Sequence, residues 1–220
     1  MLRALAHPVL FAGLLVGFLL SVTVHYAAQA AVDRGAARRV FREVRRRPVT
    51  ILDPFGAVAA ALVGPGWGVS RTPVARGRGN RLAVLLAGPV AVLLLGGVAV
   101  GGYLAVGGPR FLLGLEGPAT IIHVLPLPAA QSFLLALGVE ALGVAVLSLV
   151  PLPPLTGWQI LMLFAGRELG WQRARHYLEE RNFGVLALLV LLILPIGVGG
   201  PILLELVDWA VGLLLGLVGS

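Results

Sequence analysis

Cysteine is absent from this 220-residue chain, which excludes disulfides, thiolate metal sites and a Cys nucleophile and leaves the redox compartment unmarked. Lysine is absent too: all 17 basic residues are Arg, a bias that matches codon usage rich in Arg, Ala, Gly and Val and carries no mechanism of its own. Charge is scarce. Charged residues make up 12% of positions and hydrophobic ones 58%, against roughly 25% and 45–50% in a soluble domain, so the bilayer is the solvent in which the chain has to be read. The length suits one compact domain of about five or six crossings and leaves no room for a separate soluble domain. The net charge of +7 does not point to nucleic acid. The Arg residues gather in short loops between apolar segments, where headgroups on the cytoplasmic side attract them.

What is present is a series of apolar runs. Residues 8–31 form the first, long enough to span and longer than the core of a cleaved signal peptide. The 32–50 loop follows, with seven Arg against one Glu between Arg34 and Arg47. By the positive-inside rule this loop is cytoplasmic, so the first helix runs from outside inward. Segment 51–66 is apolar for only 13 residues, a rise of about 20 Å against a hydrocarbon core of about 30 Å. A second basic loop, 67–81, carries Arg71, Arg76, Arg78 and Arg81, so 51–66 is expected to be re-entrant or interfacial. Spans are expected at 82–106 and 132–150, joined by an outer loop. Pro151, Pro153 and Pro154 then break the helix and open a cytoplasmic loop, 151–182, rich in Arg and Glu. A hairpin of 183–199 and 202–218 closes the chain, turning at Gly199, Gly200 and Pro201. The expectation is an all-α integral membrane protein of about five spans in the cell membrane, N-terminus outside and C-terminus cytoplasmic.

His25 and Gln29 lie near the inner end of the first span, four residues apart and so on one helical face. An intramembrane His is costly unless paired; on this segment alone, the simplest reading is a side chain near the interface that hydrogen-bonds locally. Other segments add to it. Ser148 to Gly157 reads Ser-Leu-Val-Pro-Leu-Pro-Pro-Leu-Thr-Gly and resembles the Asn-x-x-Pro-x-Pro-Pro-Leu-Asp-Gly signature of the site-2 protease family of intramembrane zinc metalloproteases. Val24-His25-Tyr26-Ala27-Ala28-Gln29-Ala30 is similar to that family's Val-His-Glu-x-x-His-Ala. Asp53-Pro54-Phe55-Gly56, the Gly66-Trp67 turn and Leu86-Ala87-Gly88-Pro89 resemble further motifs of one bacterial branch, in the same order.

The resemblance implies a site-2 protease-like core in which two His and one Asp hold zinc and a Glu beside the first His acts as general base. Only His25 survives of that set. Tyr26 stands at the base position, and a phenol does not take a proton from water near neutrality. Gln29 replaces the second His, and its amide is a poor zinc donor. Thr156 replaces the Asp with a neutral hydroxyl. Val92 stands where an Asn would hold the substrate carbonyl, and Ser148 replaces the Asn that opens the proline motif. Pro153, Pro154 and Gly157 are kept, as is Asp53, and these have backbone roles. Reactive groups are lost and scaffold groups retained, as in a pseudoprotease with no catalytic residues, no metal and no cofactor expected.

Glu140 lies mid-span, where an ionisable group is by default a functional candidate; the alternative is a protonated or paired carboxyl bonding between helices. Glu205 and Asp208 suit the first turns of the last helix. Trp67 and Trp209 suit an interfacial belt. His7, His123 and His176 need no ligand role. The leading expectation is a non-catalytic protein that binds or regulates a membrane partner through a groove made to receive a transmembrane helix. The alternatives are an active zinc endopeptidase with displaced ligands, for which Asp53 and Glu140 are the available donors, and a small transporter or channel subunit built on Glu140.

Overall fold

The computed structural model describes residues 7–37, 51–114, 127–166, 168–195 and 200–219. Among these the chain is helical, with α1 (Pro8–Ala37), α2 (Pro54–Val63), α3 (Arg78–Ala105), α4 (Ala129–Ser148), α5 (Thr156–Phe164), α6 (Leu169–Arg175), α7 (Phe183–Ile193) and α8 (Ile202–Gly219). A 3₁₀ turn at Arg110–Gly114 follows α3 and a π turn at His176–Glu180 follows α6. The basic stretch 38–50, most of the expected outer loop with His123, and Gly199 of the expected hairpin turn lie outside the described residues.

Among the described residues three helices are long and apolar enough to cross a membrane: α1 over Pro8–Gly35, α3 and α4. They form the core. Gly13 lies against Phe133 and Ala136, and Gly17 against Leu137 and Glu140, so α1 and α4 run in the same direction. Gly88 of α3 faces His25 of α1, and Gly96 faces Gly138 and Leu142 of α4, so α3 runs against both. The three long helices therefore alternate in direction along the chain. Every residue of α4 from Leu135 to Ala145 is buried, as expected for a helix that is apolar on all sides.

The 51–69 segment is an excursion whose two ends meet. Leu52 pairs with Gly68 in an isolated antiparallel bridge and Val69 N donates to Ile51 O at 3.0 Å. Asp53 caps α2, its Oδ1 accepting from Phe55 N at 2.8 Å and Gly56 N at 3.1 Å, which satisfies two amides that helix geometry leaves without partners. Ten residues rise about 15 Å before Gly64 turns the chain back, so the piece enters and leaves at one end of the core. Trp67 departs from the belt expectation. It is 2% exposed, packed inside this excursion against Gly56.

The last third differs most from expectation. Helix α7 stops at Ile193, six residues short of the expected 199, because Leu194 is extended at φ −83° and ψ 126° ahead of Pro195, the conformation a following proline imposes. Eleven residues rise about 16 Å, half the hydrocarbon core. The expected cytoplasmic loop is itself structured, holding α5, α6 and the π turn.

Candidate functional site

The site assembles where α1, the 67–77 segment and the start of α5 meet beside Gly88 of α3. On α1, Ser21, His25, Gln29 and Asp33 are all buried and recur every four residues, so they form a single polar file along one face. The chain then has to bring partners to that file. The proline loop does so for Thr156. Gly157 is so close to the end of α4 that a methyl group there would come within 2.0 Å of Leu149 O, so only glycine lets α5 start at this point. His25 Nε2 lies 3.1 Å from Thr156 Oγ1. On the other side of the imidazole, a methyl on Gly88 would come within 2.6 Å of Nε2, which explains the glycine before Pro89.

Ser70 joins the remaining groups. Its Oγ is 3.0 Å from Thr156 Oγ1 and accepts from Gln29 Nε2 at 3.4 Å. Gln29 is then fully committed. Arg71 N donates to its Oε1 at 2.9 Å and its Nε2 also donates to Leu85 O at 3.4 Å. Arg71 N can only donate, so the amide oxygen is the atom turned towards it. Leu85 O is available because Pro89, four residues on in the helix, has no N–H to return to it. The sequence motif Gly88-Pro89 thus prepares both a contact for His25 and an acceptor for Gln29.

One turn further along α1, Asp33 anchors the 70–76 segment. Its Oδ1 accepts from Val74 N and Ala75 N at 3.0 Å each, and its Oδ2 from Arg71 Nε at 3.0 Å. Arg71 NH1 also donates to the Tyr26 hydroxyl at 3.2 Å. Burial works against the charged guanidinium, but the Asp33 bond and the Tyr26 contact outweigh it and hold Arg71 above its ordinary range. A carboxylate that accepts three bonds, one of them from the cation it pairs with, at 2% exposure is an expensive group to desolvate and a costly one to orphan.

The structure therefore brings His25, Gln29 and Thr156 together and adds Ser70, Arg71 and Asp33. Asp33 was readable as the next step of the four-residue file after Gln29; Ser70 and Arg71 carried no local signal. A cavity of about 20 Å³ touches His25, Ser70, Ser148 and Thr156, room for a single water. Ser148 Oγ donates to Ala145 O at 2.7 Å. Val92 is fully buried among Leu14, Phe18 and Val144, a packing position. Tyr26 faces Arg71. Asp53 is spent on the α2 cap, and Pro153 packs against Gly184.

Glu140 is 1% exposed and its Oε1 has no partner among the described residues; it lies beside Gly17 and near Gly64 and does not line the His25 cavity. The donors present do not fit zinc. They are one imidazole already bonded to a hydroxyl, an amide whose oxygen is engaged by Arg71, and two neutral hydroxyls, whereas a tetrahedral site calls for three anionic or imidazole ligands in reach of one point. Among the described residues no group of three or more His, Asp or Glu is arranged to hold a metal. Comparison with protein families, curated proteins and solved structures finds nothing that matches the chain.

Proposed function

We propose that this chain is a non-catalytic membrane protein of the site-2 protease type, which keeps the arrangement around a former metal position and uses the surrounding helices to bind or regulate a partner with a transmembrane helix. One observation carries the reading: the three positions that the resemblance assigns to metal ligands are joined through Ser70 by hydrogen bonds, so that these side chains are bonded to one another. In this reading α1 enters from outside, the 32–50, 67–81 and 151–182 segments are cytoplasmic, and the network sits near the cytoplasmic ends of the spans. Co-purification in mild detergent followed by mass spectrometry tests it. The expected result is a short, reproducible set of proteins with one transmembrane segment, recovered uncleaved. A set no different from that of an unrelated polytopic protein, or recovery of partners cut within the segment, rules the reading out.

A second reading, proton or ion transfer through Glu140, draws on that carboxyl's Oε1, which has no partner among the described residues. Proteoliposomes that show a flux abolished by Glu140→Gln would favour it over the first.

A further inference from the structure

At the loop end of the core a pocket of about 360 Å³ opens between the 70–76 segment, the first turns of α3, α5 and the α6 region, a size typical of small-ligand sites. Its polar lining is Thr72, Arg81, Gln159, Arg175 and Glu179, and Leu85, Met162 and Leu163 supply an apolar side. The arginines are held in place. Arg81 Nε donates to Ala75 O at 3.0 Å, and Arg175 Nε lies 3.6 Å from Glu179 Oε2, while the other oxygen of Glu179 accepts from the buried Trp158 Nε1. Both described contacts use Nε, so each guanidinium keeps its terminal nitrogens as donors suited to phosphate. Two guanidiniums against one carboxylate leave the lining with a single positive charge, the complement of a phosphodiester.

Position narrows the ligand further. Arg81 and Leu85 are one turn apart on α3, so within about 6 Å the pocket passes from charge to the apolar surface of a membrane-length helix. That gradient is the one met at the headgroup level of a bilayer, on the side where basic loops collect. A free phosphate would use the guanidiniums and nothing else.

We propose that this pocket binds the phosphodiester headgroup of an anionic lipid, with the phosphate between Arg81 and Arg175, Gln159 and Thr72 as further donors, and the glycerol end against Leu85, Met162 and Leu163. None of these side chains belongs to the His25 network, so the site stands or falls independently of the pseudoprotease reading. The test is native mass spectrometry of the full chain in a zwitterionic detergent, titrated with phosphatidylglycerol or phosphatidylcholine, with inorganic phosphate as competitor. One phosphatidylglycerol per chain should be retained in preference to phosphatidylcholine. Arg81→Gln and Arg175→Gln should each weaken retention about tenfold, the effect of losing one charge-assisted bond. Thr72→Glu, at an exposed position, should do the same with both arginines intact, which separates binding from folding, and Arg110→Gln, on the 3₁₀ turn, should change nothing. Equal retention of the two lipids, or full retention by Thr72→Glu and the double Arg variant, overturns the proposal. Displacement of the lipid by millimolar phosphate overturns the lipid assignment and leaves an oxyanion site.

Discussion

Asp33 and Glu140 are both buried carboxyl residues on neighbouring core helices, and their surroundings give them opposite consequences. Asp33 is saturated, with two backbone amides and a guanidinium bonded to it. Asp33→Ala should cost about 3 kcal/mol, within the range for leaving buried donors and a cation unpaired, and Asp33→Asn should cost less because Oδ1 can still accept both amides. A thermal melt in detergent checks the order; equal melting of the three proteins would mean that the 70–76 segment is held by something else. Glu140, by contrast, has an oxygen with no partner among the described residues. An unpaired buried polar group costs about 1–3 kcal/mol, so Glu140→Leu should raise stability by about 1 kcal/mol in the same melt. Stabilisation would indicate that the carboxyl is kept for function at the expense of stability, and a fall would reveal a partner beyond the described residues. Side-chain chemistry of this kind was legible in the sequence only where position on a helix decides it. His25 and Gln29 followed from their spacing, whereas Ser70 and Arg71 reach the site through a bridge between residues 52 and 68 that no local pattern encodes.

Among the elements, the three core helices were readable because length and hydropathy suffice for a helix that crosses alone, and the observed α3 and α4 begin and end within four residues of the expected spans. The short pieces were harder, since a half-length apolar run looks alike whether it spans with a neighbour or turns back. For α2 the flanking basic loops resolved the ambiguity. For α7 the decisive signal was Pro195, which ends the helix at half the thickness of the core. That has a topological consequence. Helix α8 has 18 residues, about 27 Å, and reaches along α4 from Gly143, which Val207 approaches, to the Arg110–Gly114 turn against which it also packs. If α8 crosses with the three long apolar helices α1, α3 and α4 while α2 and α7 turn back, the number of crossings is even. The C-terminus is then predicted outside, beside the N-terminus, instead of on the cytoplasmic side that five crossings would give. The absence of native Cys makes single-Cys labelling direct: positions 114 and 220 should react with an impermeant reagent in intact cells, and positions 38 and 173 only after permeabilisation. Protection of position 220 with labelling of 114 would restore α7 as a full crossing.

At the scale of the whole molecule the question is whether chemistry was lost from an intact frame. Three distant stretches converge at the His25 site: α1, the 67–77 segment and α5, each fixed by features separate from the reactive positions. Asp33 pins the 70–76 segment, Gly157 sets the start of α5, and Gly88 with Pro89 sets the approach of α3. These three features persist when residues 26, 29 and 156 change, and although Gln29 and Tyr26 also bond Arg71, the Asp33 bonds to Arg71, Val74 and Ala75 remain, so a metal set installed there should find most of its geometry already built. Tyr26→Glu, Gln29→His and Thr156→Asp together supply a second imidazole, a carboxylate and a base, with His25 unchanged. The 3.1 Å separation of His25 Nε2 and Thr156 Oγ1 is close to the spacing of two ligands that share one zinc at about 2 Å each. The wild type should carry far less than one zinc per chain by elemental analysis, and the triple variant close to one, lost again on His25→Ala. Proteolysis should remain weak, because Val92 is packed into the core and offers no hydrogen bond to a substrate carbonyl. A triple variant that folds yet stays metal-free would show that the convergence does not reach ligand geometry. Stoichiometric zinc in the wild type, removed by His25→Ala, would show that other donors complete the site and would revive the active protease.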